Sequence, residues 1–393
     1  MAGKKFDFDT VTDRTHTDCL KYDFAVRRGK PEGILPLWVA DMDFQTAPQI
    51  LAAMKERVDH GIFGYTESGD SYFEAVADWM QKKHAWKVER RWLVKTPGVV
   101  FALAMAVKAF SNEGDAVLIQ QPVYYPFTEV IRDNGRRVVS SDLVCEPDGT
   151  YHIDFADFET KITENHISLF LLCSLHNPVG RVWTEEELKR IGEICLAHHV
   201  TVISDEIHED FVFGNRKHHV FANLRKEFAQ ISVTCTSPAK TFNLAGLQVS
   251  NIWISNGELR SKFRKEIAAA GYSQLNVLGL TACEAAYRFG GDWYDAMMEY
   301  VAGNIAFFQD FIRKELPVLK VTPVEETYLV WVDFRGLSLT EEELEELIVK
   351  KANLWLDSGT VFGKAGAGFQ RFNVACPRSI LRQALLQLQQ AII

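Results

Sequence analysis

Four short apolar runs, each closed by a polar or turn residue, limit what this chain can fold into more than any other feature of it. They are "DAVLIQ" (115–120), "ISLFLLCS" (167–174), "VTVIS" (200–204) and "ISVTCT" (231–236). A strand with one face in water alternates apolar and polar residues. A continuous apolar run of this length suits a strand buried on both faces, as in a mostly parallel sheet covered by helices. Between the second and third runs lies "TEEELKRIGEICLAHH" (184–199). Thr184 and Glu187 form a capping-box pattern there, and Leu188, Ile191, Ile194 and Cys195 recur at helical spacing. The spacing predicts a βαβ unit.

The last third changes character. "TYLVWVDF" (327–334) and "QRFNVA" (370–375) read as strands. "LTEEELEELIVKKANL" (339–354) reads as a capped amphipathic helix, and a final helix starts at Pro377. The expected fold class is α/β, with a mostly parallel central sheet in a large domain plus a smaller α+β domain. The expected division is 51–289 for the large domain, with 1–50 and 290–393 forming the small one. A chain of 393 residues suits two domains.

A formal charge of -9 with no basic stripe argues against a nucleic-acid partner. No apolar run approaches the ~20 residues that span a bilayer, and "MAGKKFDFDT" lacks the apolar stretch of a secretory signal. Seven cysteines without a CxxC pair fit reduced thiols. A cytoplasmic protein with no membrane partner is expected.

Ligands of an open α/β sheet sit beyond the carboxyl ends of its strands. The run at 115–120 is followed by Tyr124 and Tyr125, that at 167–174 by Asn177, that at 200–204 by Asp205 and His208, and that at 231–236 by Ser237 and Lys240. Each has a plainer reading. Asn177-Pro178 is a turn signal, Asp205 a helix N-cap, Tyr124 a core ring and Lys240 a surface amine. "DEIHED" suggests a metal at first sight, but it lacks HExxH spacing, so no metal is expected. The histidines of "AHH" and "KHH" are expected in solvent.

It is the joint placement that points to chemistry. Pyridoxal 5'-phosphate needs a lysine amine for its Schiff base and an acid beside its pyridine nitrogen. An amide near the ring hydroxyl and an aromatic face against the ring complete such a cradle. For the phosphate, "TPGVVFALAMAVKAF" puts Gly98 before an apolar helix, so the amides of Val99 and Val100 face an anion at a helix N-terminus. Ser237 offers a hydroxyl.

Together "WVADMDF", "HNPVGRVWT", "SDEIHEDF", "SPAKTFNLAGLQVSN" and "RFNVACPR" resemble the fold-type I, class I/II aminotransferase superfamily. More narrowly, they resemble its carbon–sulfur lyase subgroup, which holds cystathionine β-lyases of the maltose-regulon-modulator type. The likeness runs from residue 36 to 378. It implies Lys240 as the cofactor lysine and Asp205 as the partner of the pyridine nitrogen. Asn177 would lie by the ring hydroxyl and Tyr124 would stack on the ring. It implies Arg371 on the substrate α-carboxylate, with Ala40 of "PLWVADMDF" among the substrate contacts. It also implies Tyr65 of "FGYT" reaching the neighbouring subunit's phosphate, hence a homodimer with shared active sites. Ordinary aminotransferases carry tyrosine where His208 stands and arginine where Gln248 stands. Here neutral donors must therefore do more for the phosphate, and His208 either meets the ring region or Asp205, or packs.

The implied reaction is β-elimination from a cysteine S-conjugate such as L-cystathionine, giving thiol, pyruvate and ammonia. A transaminase would use the same lysine and acid. A regulatory protein that binds the cofactor is the reading from another class.

Overall fold

The computed structural model describes residues 6–393. Seven strands form the main sheet: β1 (Leu93–Thr96), β2 (Ala116–Ile119), β3 (Arg137–Ser140), β4 (Leu169–Cys173), β5 (Thr201–Asp205), β6 (Ser232–Thr236) and β7 (Ser250–Trp253). Their spatial order is β1-β7-β6-β5-β4-β2-β3. β7 alone runs against its neighbours, and the others are parallel. All four apolar runs became central strands.

Period-two alternation sends side chains to both faces of this sheet. Val117, Ile119, Leu171 and Ile203 share one core with the helix α1 (Val99–Phe110). Leu118, Phe170, Leu172 and Val202 share another with the helix α2 (Glu185–Ala197). Each such side chain contributes about 1.5–3 kcal/mol on burial, which is why the central strands carry apolar residues on both faces. Thr184 and Glu187 exchange both bonds of a capping box and fix the start of α2.

A second sheet lies in the C-terminal third, with strands β8 (Lys320–Val321), β9 (Leu329–Asp333), β10 (Asp357–Ser358) and β11 (Phe369–Asn373) in the order β8-β9-β11-β10. The N-terminal segment joins this part of the fold, since Leu35–Pro36 pairs in parallel with Leu354–Trp355. Long helices at Gly291–Glu315 and Arg378–Ile392 pack there as well. Among the described residues no helix is long and apolar enough to cross a membrane.

One expected element is shorter than its sequence pattern. The helix anticipated over 339–354 is α-helical only over Glu341–Glu346, then widens to a π-turn over Leu347–Lys351. Asn353 at φ 50° adopts the left-handed conformation that ends a helix, and the chain then turns into a strand.

Candidate active site

Register across the parallel strands brings the chemistry to one line. Cys173 lies opposite Asp205, and Asp205 opposite Cys235. The residues just beyond these ends, together with the start of α1, enclose a cavity of about 470 Å³. Ala40, Gly98, Val99, Val100, Tyr124, Asn177, Asp205, His208, Ser237 and Lys240 all line it. Of the residues expected at the site, Arg371 and Tyr65 do not.

Lys240 sits on a single helical turn, Pro238–Thr241, whose N-cap is the Ser237 hydroxyl accepting from the Ala239 amide. Half-buried, its Nζ donates to the Ala40 carbonyl at 2.7 Å. Burial pulls its proton affinity down to about 8, against the pull of Asp41 and Asp205 upward and with Arg371 pushing the same way as burial. Asp205 is 4% exposed and is raised to about 7, because burial disfavours its charge more than the Ile207 amide and Lys240 favour it. A cationic ring nitrogen beside this carboxylate would reverse that balance.

His208 does not reach Asp205. Its ring packs near Phe211 and Tyr328, and its Nδ1 is buried without a hydrogen-bond partner. Burial, Lys240 and Arg371 hold it far below the usual histidine range, so it is neutral. Tyr124 presents its ring to the cavity while its amide donates to the Asn177 carbonyl at 3.1 Å.

At the other end, Gly98 has φ 108°, which side chains rarely adopt, and its bare backbone opens the start of α1. Ser237 gives its one hydroxyl proton to the Val249 carbonyl at 2.7 Å. Ser250 is the hydroxyl that the sequence reading missed: it lines the cavity, buried, with no partner on Oγ. Gln248 lines the cavity too, where an arginine would be ordinary.

Arg371 is 2% exposed and held by three groups. Its guanidinium donates to Asn177 Oδ1 at 2.9 Å and to the Trp38 carbonyl at 3.0 Å, and it is ion-paired with Asp357, its cross-strand neighbour. Its Nε is buried without a partner, and its guanidinium lies 4.8 Å from the Phe362 ring. Arg371 thus touches the site through Asn177. Asp357 went unnoticed in the sequence because only strand pairing sets it against Arg371. The glycine-rich stretch 359–369 holds two compact turns whose Gly359 and Gly366 backbones touch.

Two expectations need correction or completion. His218 of "KHH" is not in solvent; it is 5% exposed and its Nε2 lies 2.7 Å from Glu206. Its ring packs edge-on against that of His84 at 5.5 Å, where His84 Nε2 meets Asp210 at 2.9 Å and Asp210 accepts from Thr241 at 2.6 Å. Tyr65 is 98% exposed on the described chain, away from its own cavity.

The residues present fit pyridoxal phosphate. An amine and a carboxylate face one cavity, an aromatic ring lines it, and the unpartnered Ser250 hydroxyl and the bare start of α1 lie on its wall.

This combination of sheet, cavity, lysine and acid defines a class, and the chain belongs to the aminotransferase class I and II family, whose model matches residues 32–388. Its likeness is to particular members. It is 44% identical over 389 residues to "Cystathionine beta-lyase PatB" of Bacillus subtilis (strain 168), covering 98% of this chain and 100% of that protein. It is 34% identical to "Protein MalY" of Escherichia coli (strain K12), covering 98% and 99% of the two chains. Among solved structures, cystalysin from Treponema denticola, which contains a pyridoxal 5'-phosphate cofactor, superposes with a TM-score of 0.95 at 36% identity, covering 98% of each chain.

Proposed function

We propose that the protein is a pyridoxal-phosphate-dependent carbon–sulfur β-lyase that cleaves L-cystathionine and related cysteine S-conjugates. With one water consumed, the products are the thiol (homocysteine from cystathionine), pyruvate and ammonia. The observation that carries this reading is the convergence of Lys240, Asp205 and the Asn177–Arg371 pair on one buried end of the sheet. The 44% identity to a cystathionine β-lyase selects the reaction.

The bound cofactor supplies the electron sink that makes a Cα proton removable. The chain's own residues do the rest. Lys240 would take that proton, and a proton affinity near 8 leaves a usable fraction neutral around neutral pH. Asp205 would hold a proton on the ring nitrogen, and Tyr124 and His208, which line the same cavity, would flank the ring. Arg371 grips the substrate carboxylate with its fixed fork, helped by Asn177 and the backbone at Ala40. Gly98, Val99 and Val100 would hold the phosphate with main-chain amides, and Ser237 lines the same cavity.

We propose further that the active unit is a cytoplasmic homodimer in which Tyr65 reaches the partner's phosphate. Its exposure and that of Ile62 and Phe63, at 98%, 66% and 58%, support a covered loop. Seven free cysteines agree with a reducing compartment. For the domains we propose 51–289 against 1–50 with 290–393; the main sheet lies wholly within Leu93–Trp253, and Leu35–Pro36 pairs with Leu354–Trp355.

The test is to mix the purified holoenzyme with L-cystathionine and no keto acid. Pyruvate and thiol in equal amounts support the lyase. Product that appears only after a 2-oxo acid is added makes it an aminotransferase, and no product with intact cofactor absorbance favours a regulatory binder.

A further inference from the structure

The loop 37–46 connects the two ends of the site. Its Ala40 carbonyl accepts from both Lys240 Nζ, at 2.7 Å, and the Tyr328 hydroxyl, at 3.1 Å. Its Trp38 carbonyl accepts from Arg371 at 3.0 Å. Two asparagines close behind the reacting residues hold its backbone. Asn243 donates to the carbonyls of Met42 and Phe44 at 2.9 Å, and Asn373 to those of Val39 and Asp41 at 2.6 Å.

A second set of contacts clamps the same loop from the N-terminal segment. Arg14 is bidentate to Asp41, at 2.7 and 3.1 Å, and also reaches Asp43 at 2.6 Å and the Met42 carbonyl at 3.3 Å. Lys21 is fully buried, with its Nζ 2.8 Å from Asp43 and 3.6 Å from Asp41. Two cations thus balance two carboxylates, with Lys21 and Asp43 buried and Arg14 and Asp41 partly exposed. A buried pair of this kind contributes little net stability over an apolar equivalent, so its retention here asks for another reason. Asp41 also acts on Lys240 directly, by raising its proton affinity.

We propose that Arg14, Lys21 and Asp41 are positioning residues: the N-terminal segment locks loop 37–46 so that its carbonyls set Lys240 and Arg371 at one fixed separation. The inference rests on the reading of Lys240 and Arg371 as the proton-moving and carboxylate-holding groups. The lock couples the two functions. Loosening it disturbs the amine and the guanidinium together, whereas a change at either residue alone disturbs one.

The test uses the full chain with Arg14→Met, Arg14→Lys and Asp41→Asn, positions only partly buried and so tolerant of change. In the holoenzyme, Arg14→Met is expected to lower kcat and raise KM together, with kcat/KM down roughly tenfold to hundredfold, as small misplacements of reacting groups do. Arg14→Lys should recover most of the loss. In the cofactor-free chain, competitive acetylation read at the Lys240 peptide gives the pH of half-reactivity without any substrate. Three charges face this amine, Asp41, Arg371 and Asp205. Arg14→Met leaves Asp41 with only Lys21, 3.6 Å away, to balance it and should move the half-reactivity upward; Asp41→Asn should move it downward. Opposite shifts support the proposal even if the parent proves to be no lyase. Parental Lys240 titration in both variants, with parental kcat/KM, overturns it.

Discussion

A lysine amine keeps its proton in water at neutral pH; at position 240 burial works against that proton while two carboxylates defend it. The balance gives a sign to the pH dependence of stability. The folded-state affinity, about 8, is below the ordinary 10.5, so the unfolded chain binds more protons in between. Stability of the cofactor-free protein therefore includes a charge-burial cost below about pH 8 that fades as pH rises toward 10.5. Lys240→Met removes this cost. Its gain in urea midpoint over the parent should be largest near neutrality and shrink through that window; a constant difference would show that the amine is not buried as described. The same variant should lose the visible absorbance of the bound cofactor and nearly all turnover. Arg371 answers to geometry more than to charge. Arg371→Lys keeps the cation but loses the fork that meets Asn177, Trp38 and a carboxylate at once. KM should rise on the order of tenfold or more while the cofactor spectrum stays parental, and an unchanged KM would place substrate binding elsewhere.

At the scale of elements, the compact turns over 359–366 carry Phe362 against Arg371, and they close only because two glycine backbones touch. A Cβ on Gly359 would lie 1.8 Å from the Gly366 carbonyl oxygen. Gly359→Ala must therefore open the turn, and it should raise KM for the thioether more than it lowers kcat, since Lys240 stands on a different element. Steady-state kinetics at several substrate concentrations decide this. The elements also show where sequence patterns are informative. The buried strands and the capped helix at 185–197 fall where their periodicities put them, because burial and capping are local demands. The helix after Thr340 has the same capping box and the same apolar spacing, yet it widens and stops early, because the chain beyond it must enter a strand beside Pro36.

On the whole molecule, the proposed homodimer with shared sites makes a distinctive prediction. Lys240→Met and Tyr65→Ala, each inactive or nearly so, should restore activity when co-expressed. A mixed dimer has one site with both an intact lysine and an intact tyrosine, so random pairing returns about a quarter of parental activity. No recovery, with mixed dimers present, would place Tyr65 outside the partner's site. That the lysine, the acid, the amide, the ring and the glycine that begins α1 would line one cavity was legible along the chain, because a parallel sheet delivers every strand's carboxyl end to the same edge and the spacing from run to residue is local. Asp357 against Arg371, the loop 37–46 that joins Lys240 to Arg371, the Arg14–Lys21 lock and the burial of His218 were not. Each depends on contacts between segments far apart in the chain, and no periodicity in either segment records which partner, of the many with suitable charge or size, folding will set beside it.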